Sequence, residues 1–202
     1  KCFEFLKRKG TLLIFPEGTS EHERRLRPLK TGTARIALGA EAENDFKLGV
    51  QILPVGLTYT DPKRFQSEVF LHFSKPIVVS DFTDIYRENP VTAVDQLTDE
   101  LEKHLSESTI VTTDEEQDYF VNSIEQLYKT RLSDVLELSE NPVREDYLIT
   151  KGIVQAVKYF ETHQPERLAQ VKGRVQRYVN WLERLGLDEE TITRENTFFH
   201  RL

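Results

Sequence analysis

The hydrophobic pattern of this 202-residue chain changes near Asp114. Before that point, short apolar runs alternate with stretches of helical periodicity, a combination typical of α/β domains. After it, strand patterns stop and apolar residues recur only at helical spacing. We therefore predict an α/β domain over residues 1–113, followed by an all-helical extension over residues 114–202.

The first part is predicted to contain three strands, and a proline ends or interrupts each of them because proline cannot donate to a sheet ladder. The strands cover residues 11–15, which read as buried and stop at Pro16, residues 51–59, with a break at Pro54, and residues 68–79, with a break at Pro76. Helices are predicted over residues 3–9, 31–43 and 92–106. The last of these has apolar residues at helical spacing, which predicts that it packs on the sheet.

The extension is predicted to form three helices, over residues 115–138, 145–161 and 165–185. Proline opens the third helix and Gly186 closes it, as is common at helix ends. Apolar residues line one face of this helix at spacings of three and four, namely Leu168, Val171, Val175, Tyr178, Leu182 and Leu185. That face must be buried, and the other helices of the extension are the expected partners, with a membrane or a second protein as the alternatives.

Composition excludes several classes of function. The chain has 34 acidic and 27 basic residues, a formal net charge of −7, which argues against a nucleic-acid binder. Cys2 is the single cysteine, so we predict neither an internal disulfide nor a metal site rich in cysteine. The longest apolar stretches, residues 11–15 and 52–57, are shorter than the roughly 20 residues that span a bilayer.

The segment most informative about chemistry covers residues 10–32. Glu17 follows the predicted strand directly, and the carboxyl end of a strand is where α/β sheets place their ligands. Gly18 permits a positive φ or a close backbone approach. Positive charge is concentrated just before a helix N-terminus near Thr31, on Arg24, Arg25, Arg27 and Lys30. This combination predicts a site for a small phosphorylated substrate, and the alternative is a simple turn followed by solvated arginines.

Three short segments carry a resemblance to a known family. They are Phe15-Pro16-Glu17-Gly18-Thr19, then Pro28-Leu29-Lys30-Thr31-Gly32, and then Ile52-Leu53-Pro54-Val55. In this order they resemble the third and fourth motifs of the glycerolipid acyltransferases. The spacing of serine, leucine, proline and lysine from Ser20 to Lys30 is similar to the branch that acylates glycerol 3-phosphate or dihydroxyacetone phosphate. Lysophosphatidate remains a third possible acceptor.

The resemblance implies acyl transfer from acyl-CoA or acyl carrier protein as co-substrate, with no further cofactor. It places the segment Phe15, Pro16, Glu17, Gly18 and Thr19 in the glycerol-phosphate site, Lys30 near the phosphate, and Pro54 on the acyl-donor side. The family often has arginine where this chain has Ser20. We therefore expect Arg24, Arg25 or Arg27 to neutralise the phosphate instead.

The family's base is a histidine in a His-x-x-x-x-Asp motif, oriented by the aspartate. None of the five histidines here is followed by an aspartate five positions later. The chain also begins at Lys1 and contains no methionine, so we expect residues to be missing at its ends and the catalytic motif to lie outside it. This chain by itself is expected to contain no catalytic residue and to be inactive. The alternative is a pseudoenzyme that binds phosphate or acyl donor.

Three expectations concern partners and location. The extension carries most of the net negative charge, and acyl carrier protein is acidic as well, so electrostatics favour acyl-CoA as the donor. A third hypothesis makes the acidic extension a docking surface for a partner protein. The resemblance also implies a membrane-associated protein at the cytoplasmic face, where basic clusters at residues 7–9 and 24–30 would face anionic lipid, unless they are ordinary solvated surface.

Overall fold

The computed structural model describes residues 1–19, 24–59, 66–136 and 141–186. Two compact units form, Lys1–Val111 and Thr112–Leu202. The first combines helices with short strands, and the described part of the second is helical. In chain order the elements are α1 Cys2–Lys7, α2 Gly32–Ala42, β1 Gln51–Ile52, β2 Val55–Tyr59, β3 Val69–Phe73, β4 Ile77–Val78, a 3₁₀ helix Val79–Phe82, α3 Thr83–Glu88, α4 Pro90–Ser108, α5 Glu115–Leu136, α6 Pro142–His163 and α7 Pro165–Leu185.

The four strands form one long antiparallel hairpin with an interruption. β1 pairs with β4, and β2 pairs with β3. The breaks fall at Pro54 and Pro76, as predicted, because neither residue has an N–H for the ladder. One bond bridges the interruption, in which the Ser74 N–H donates to the Pro54 carbonyl oxygen at 3.0 Å. The hairpin therefore continues past both prolines.

Helix α4 packs on this hairpin, which confirms the prediction for residues 92–106. Gly56 of β2 faces the end of the helix so closely that an added Cβ would collide with the backbone carbonyl of Ser108. The opposite face of the hairpin is apolar and exposed, with Leu57 at 40%, Leu71 at 45% and Phe73 at 60% exposure. The strands therefore bury only one of their two faces within this unit.

The hydrophobic core of the first unit lies between α2 and α4. The fully buried side chains that define it are Leu38 of α2, Val79 of the 3₁₀ helix and Leu97 of α4. Helix α4 begins at a proline and is capped by Asn89, whose side chain accepts from the N–H groups of Val91 and Thr92. Such a cap stabilises a helix by about 1 kcal/mol.

One buried acid organises the connection from α2 to β1. Glu41 has no exposed surface, and its two carboxylate oxygens accept N–H bonds from Leu48 at 3.1 Å and from Val50 at 2.5 Å. Its own backbone carbonyl accepts from Phe46 at 2.8 Å. A buried carboxylate is costly unless it is paired, and here the backbone N–H groups of the loop supply the pairing. This single side chain therefore fixes the loop that leads into the hairpin.

The prediction of a buried strand at residues 11–15 was wrong. The structure gives this segment no strand pairing, and Leu13 is 84% and Phe15 66% exposed. A strand is stable only when a neighbour accepts its ladder bonds. In the described residues the hairpin strands pair with one another and not with this segment. The sequence pattern was apolar enough for a strand, but no partner strand meets it here.

The described part of the second unit is a three-helix arrangement in which α5, α6 and α7 each contact the other two. The predicted third helix, over residues 165–185, is confirmed. Residues 137 and 138, which the first predicted helix included, lie outside the described residues. None of the helices in the described residues has the length and hydrophobicity that a membrane span requires. The assignment of residues 1–113 to an acyltransferase domain and of residues 114–202 to an extension stays a prediction.

The apolar face of α7 is only half buried. Leu168, Val175 and Leu182, which are seven residues apart, are 6–7% exposed and contribute to the core. Other residues of the predicted face are exposed, with Val171 at 40% and Leu185 at 52%. A spacing of seven drifts only slowly around a helix, so one row of residues faces the partner helices continuously. The partner helices of the same unit therefore cover part of the predicted face.

The start of α5 carries a capping arrangement that links two helices. The Asp114 carboxylate accepts the N–H of Gln117 at 2.7 Å, and the Gln117 side chain accepts the N–H of Thr113 at 3.0 Å. The Gln117 amide also donates to the Glu161 carboxylate of α6 at 3.0 Å. The bond from the Gln117 backbone lowers the pKa of Asp114. This pattern is a variant of the capping box.

Candidate functional site

The Phe15–Gly18 segment forms a tight turn. The Gly18 N–H donates to the Phe15 carbonyl oxygen at 3.2 Å, with Pro16 and Glu17 at the two central positions. Proline is favoured at the first central position of such a turn because its φ is already near −65°. Gly18 itself has a φ of +69°, a conformation that side chains with a Cβ adopt only at a cost. The glycine of this motif is therefore required by the backbone.

The side chain of Lys30 lies over Gly18. A Cβ added to Gly18 would come within 2.5 Å of the Lys30 amine and within 2.8 Å of its Cε. The same lysine is held from its backbone, because its N–H donates to the Pro16 carbonyl oxygen at 2.9 Å. Lys30 is otherwise exposed to solvent. The turn and the lysine are thus adjacent in space although they are twelve residues apart in the sequence.

Glu17 connects the turn to the basic loop, the name used here for residues 24–30. Its Oε2 accepts the backbone N–H of Arg27 at 3.0 Å. Glu17 is half-buried, whereas the neighbouring Thr19 is exposed. The acid thus forms a bond within the protein and bridges ten residues of sequence.

The basic loop is anchored to the core by two leucines. Leu26 and Leu29 are partly buried and pack against the core between α2 and α4. Arg24, Arg25 and Arg27 are half-buried, and each makes further interactions within the protein. The sequence interpretation missed the anchoring role of the leucines. Their spacing of three inside an otherwise polar loop was the available signal.

Helix α2 begins directly after this loop. It starts at Gly32 and has no side-chain hydrogen bond at its N-cap. The N–H groups at the start of a helix attract anions, since they lack intrahelical partners and sit at the positive end of the helix dipole. Lys30 lies two residues before the start of α2 in the sequence, and the anion site predicted here stays a prediction.

The structure brings together some predicted site residues and separates others. Pro16, Glu17, Gly18, Arg27 and Lys30 are joined by the bonds and contacts described above. Phe15 extends into solvent, and Pro54 is buried in the hairpin, where its carbonyl accepts from Ser74. Residues 20–23, which include Ser20, lie outside the described residues.

Two histidines have local partners on their own helices. The His104 Nε2 lies 3.2 Å from the Glu100 carboxylate, one turn earlier on α4. The His163 ring stacks on Tyr159 at a centroid distance of 4.2 Å. Both contacts follow from i and i+4 spacing on a helix surface. In the described residues, no group of three or more His, Cys, Asp and Glu side chains is arranged to hold a metal ion.

Comparisons with known proteins agree with the motif. A family profile described as Acyltransferase matches residues 1–58, which include the turn, the basic loop and Pro54. Glycerol-3-phosphate O-acyltransferase 1 of Saccharomyces cerevisiae is 35% identical over 141 residues, which cover 68% of this chain. This chain belongs to the glycerolipid acyltransferase family. Glycerol-3-phosphate O-acyltransferase 2 of the same yeast is 36% identical over 118 residues, which cover 58% of this chain.

A further relative aligns along most of the chain. An uncharacterized acyltransferase of Schizosaccharomyces pombe is 25% identical over 194 residues, 93% of this chain and 27% of that protein. An alignment of this extent includes helices of the second unit as well as the first. The chain spans 18% and 15% of the lengths of the two Saccharomyces cerevisiae relatives. No solved structure matched the chain.

Proposed function

We propose that the complete protein transfers a fatty acyl group from acyl-CoA to a hydroxyl of glycerol 3-phosphate. The observation that carries the proposal is the arrangement of the Pro-Glu-Gly-Thr turn, with the Lys30 amine over Gly18 and the basic loop tied to Glu17. The names of the two yeast relatives support this acceptor over lysophosphatidate or dihydroxyacetone phosphate. The excess of acidic residues disfavours the docking of an acidic carrier protein, which leaves acyl-CoA as the proposed donor.

In this proposal, the basic loop and the start of α2 bind the phosphate. Lys30 supplies a mobile point charge with three donors, and Arg24, Arg25 and Arg27 supply the surrounding positive field. Binding the phosphate fixes the glycerol hydroxyl relative to the thioester and so turns a bimolecular encounter into a positioned reaction. Pro54 is proposed to shape the acyl-donor side, and the first unit would be the distal part of the family's α/β domain.

The chemical step needs a base, and no histidine of this chain lies in a His-x-x-x-x-Asp motif. A histidine of the family's His-x-x-x-x-Asp motif, outside these residues, would take the hydroxyl proton as the oxygen attacks the thioester carbonyl. The carbon–sulfur bond then breaks, and the thiol of CoA leaves with a proton. No metal or redox cofactor enters this scheme.

We also propose that the protein acts at a membrane surface on the cytoplasmic side. The product carries a long acyl chain and partitions into the bilayer. Lys7, Arg8 and Lys9 are all exposed and form a basic cluster that would face anionic headgroups. Binding to vesicles with and without anionic lipid, at low and high salt, tests this part separately.

Steady-state kinetics of the complete protein with glycerol 3-phosphate and a long-chain acyl-CoA test the proposal. Lys30→Ala is expected to raise the KM for glycerol 3-phosphate by about 10- to 100-fold, which corresponds to the free energy of one charge-assisted hydrogen bond. The KM for acyl-CoA should stay nearly unchanged. Lys158→Ala, at an exposed site on α6, is the matched control and should change neither value.

Two results would contradict the proposal. An unchanged KM for glycerol 3-phosphate in Lys30→Ala would remove the lysine from the phosphate site. Glycerol 3-phosphate binding by calorimetry, without turnover of acyl-CoA by the complete protein, would support a binding module in place of an enzyme. Dihydroxyacetone phosphate and lysophosphatidate, assayed in parallel, identify the preferred acceptor.

A further inference from the structure

We propose that Glu17 is a positioning residue, which holds the basic loop in place by accepting the Arg27 N–H, and that it does not bind the phosphate itself. This inference rests on the proposed function, because the value of the loop lies in binding a phosphate. It differs from the expectation drawn from the resemblance, which placed Glu17 in the glycerol-phosphate site. The structure gives the carboxylate a partner within the protein.

Two bonds tie the turn to the basic loop. The Glu17 Oε2 accepts the Arg27 N–H at 3.0 Å, and the Pro16 carbonyl oxygen accepts the Lys30 N–H at 2.9 Å. Pro16 and Glu17 are neighbours in the turn. They hold Lys30 and Arg27, which are three residues apart in the loop. The first bond has an ionised acceptor, and such bonds are about twice as strong as neutral ones. Loss of the Glu17 bond would remove one of these two bonds between the turn and the loop.

Charge also argues against direct contact between Glu17 and a phosphate. Two anionic groups at hydrogen-bond distance repel one another unless a cation or a donor lies between them. Glu17 is directed to a backbone N–H, and the lysine amine lies instead over the neighbouring Gly18. The carboxylate therefore serves the phosphate site best by holding the residues that carry positive charge.

The way in which the basic loop is anchored explains why the loop depends on the bond between the Arg27 N–H and the Glu17 carboxylate. Leu26 and Leu29 pack on the core on either side of Arg27 and Pro28. Hydrophobic contacts are not directional, so they leave the rotation of the intervening backbone unspecified. The bond between the Glu17 carboxylate and the Arg27 N–H fixes the orientation of the Arg27 peptide. An acid ten residues away thus determines the path of the loop backbone between its two anchoring leucines.

A double-mutant cycle in the complete protein separates positioning from direct contact. Arg27→Ala keeps the N–H and removes the guanidinium, whereas Arg27→Pro removes both. We expect Glu17→Ala to raise the KM for glycerol 3-phosphate by about tenfold in the Arg27→Ala background and to have no further effect in the Arg27→Pro background. An equal effect of Glu17→Ala in both backgrounds would overturn the proposal, since the acid would then act without the N–H.

Hydrogen exchange tests the bond without reference to activity. Amides of residues 24–30 should exchange roughly 10- to 100-fold faster in Glu17→Ala than in the wild-type protein, with a smaller increase in Glu17→Gln, which keeps a neutral acceptor of the same length. Equal exchange in all three proteins would overturn the proposal. If glycerol 3-phosphate proves not to be the substrate, this measurement still decides whether Glu17 holds the loop.

Discussion

Replacing Gly56 by alanine tests how closely α4 packs on the hairpin. Gly56 is buried in β2 opposite His72 of β3, and an added Cβ would overlap the Ser108 carbonyl group. The obstructing atoms are backbone atoms at the end of a helix, and Ser108 is fully buried. They cannot rotate away as the tip of a flexible side chain can. The methyl group must therefore displace the helix end or the strand.

The cost follows from the general behaviour of overpacked interiors, which lose about 1 to 3 kcal/mol for an inserted methyl or methylene group. This range corresponds to roughly 5- to 150-fold faster hydrogen exchange of amides that open with the hairpin. Hydrogen exchange of the complete protein, read from peptides that cover residues 51–59 and 69–73, measures the change at the site itself.

The matched control is Gly32→Ala, in the same unit. An alanine methyl at Gly32 meets no other atom within 4 Å, so exchange in the hairpin should stay at the wild-type rate. Wild-type exchange of β2 and β3 in Gly56→Ala would refute the reasoning, because the helix end would then not lie against the strand.

The second unit supports two further predictions. The pKa of Asp114 is lowered by its bond from the Gln117 N–H, so its stabilising contribution is complete above about pH 5 and declines as the pH falls through its folded-state pKa. Asp114→Asn should remove this part of the acid dependence, measured as helix content by circular dichroism between about pH 6 and pH 2. Leu182→Ala should destabilise the unit by about 2 to 5 kcal/mol, and Leu185→Ala by about 0.5 kcal/mol or less, as measured by urea unfolding of the complete protein followed by fluorescence of Trp181. Equal midpoints for the two leucine variants would contradict the burial pattern of α7.

Elements with strong local signals could be predicted from the sequence. Pro54 and Pro76 interrupt the hairpin where they were expected to, and Pro165 and Gly186 bound α7 as predicted. These features depend on the residue's own backbone chemistry, so no distant contact can change them. The short helix α3 was missed, since its six residues are too few to show a helical period.

Features that depend on distant partners could not be predicted in the same way. The apolar run over residues 11–15 is compatible with a strand, but strand formation is decided by a neighbour that the run itself does not specify. The candidate site likewise combines features that the sequence predicts with features that it does not. The residue types of the Pro-Glu-Gly-Thr turn indicated phosphate chemistry, whereas the bond from Glu17 to the Arg27 backbone involves an N–H, which every residue but proline has. The residue types in a sequence therefore do not indicate which backbone N–H a carboxylate will bind.

The buried acid of α2 has a consequence for how the composition is interpreted. Glu41 counts as one of the 34 acidic residues, yet both of its oxygens are used by backbone N–H groups and none of its surface meets water. A glutamine there offers a single carbonyl acceptor and would turn its amide donors toward one of those N–H groups. The position is therefore restricted to an acid by hydrogen-bond geometry and not by a need for solubility. Its carboxylate serves the loop between α2 and β1 and offers no surface that an approaching ligand could contact.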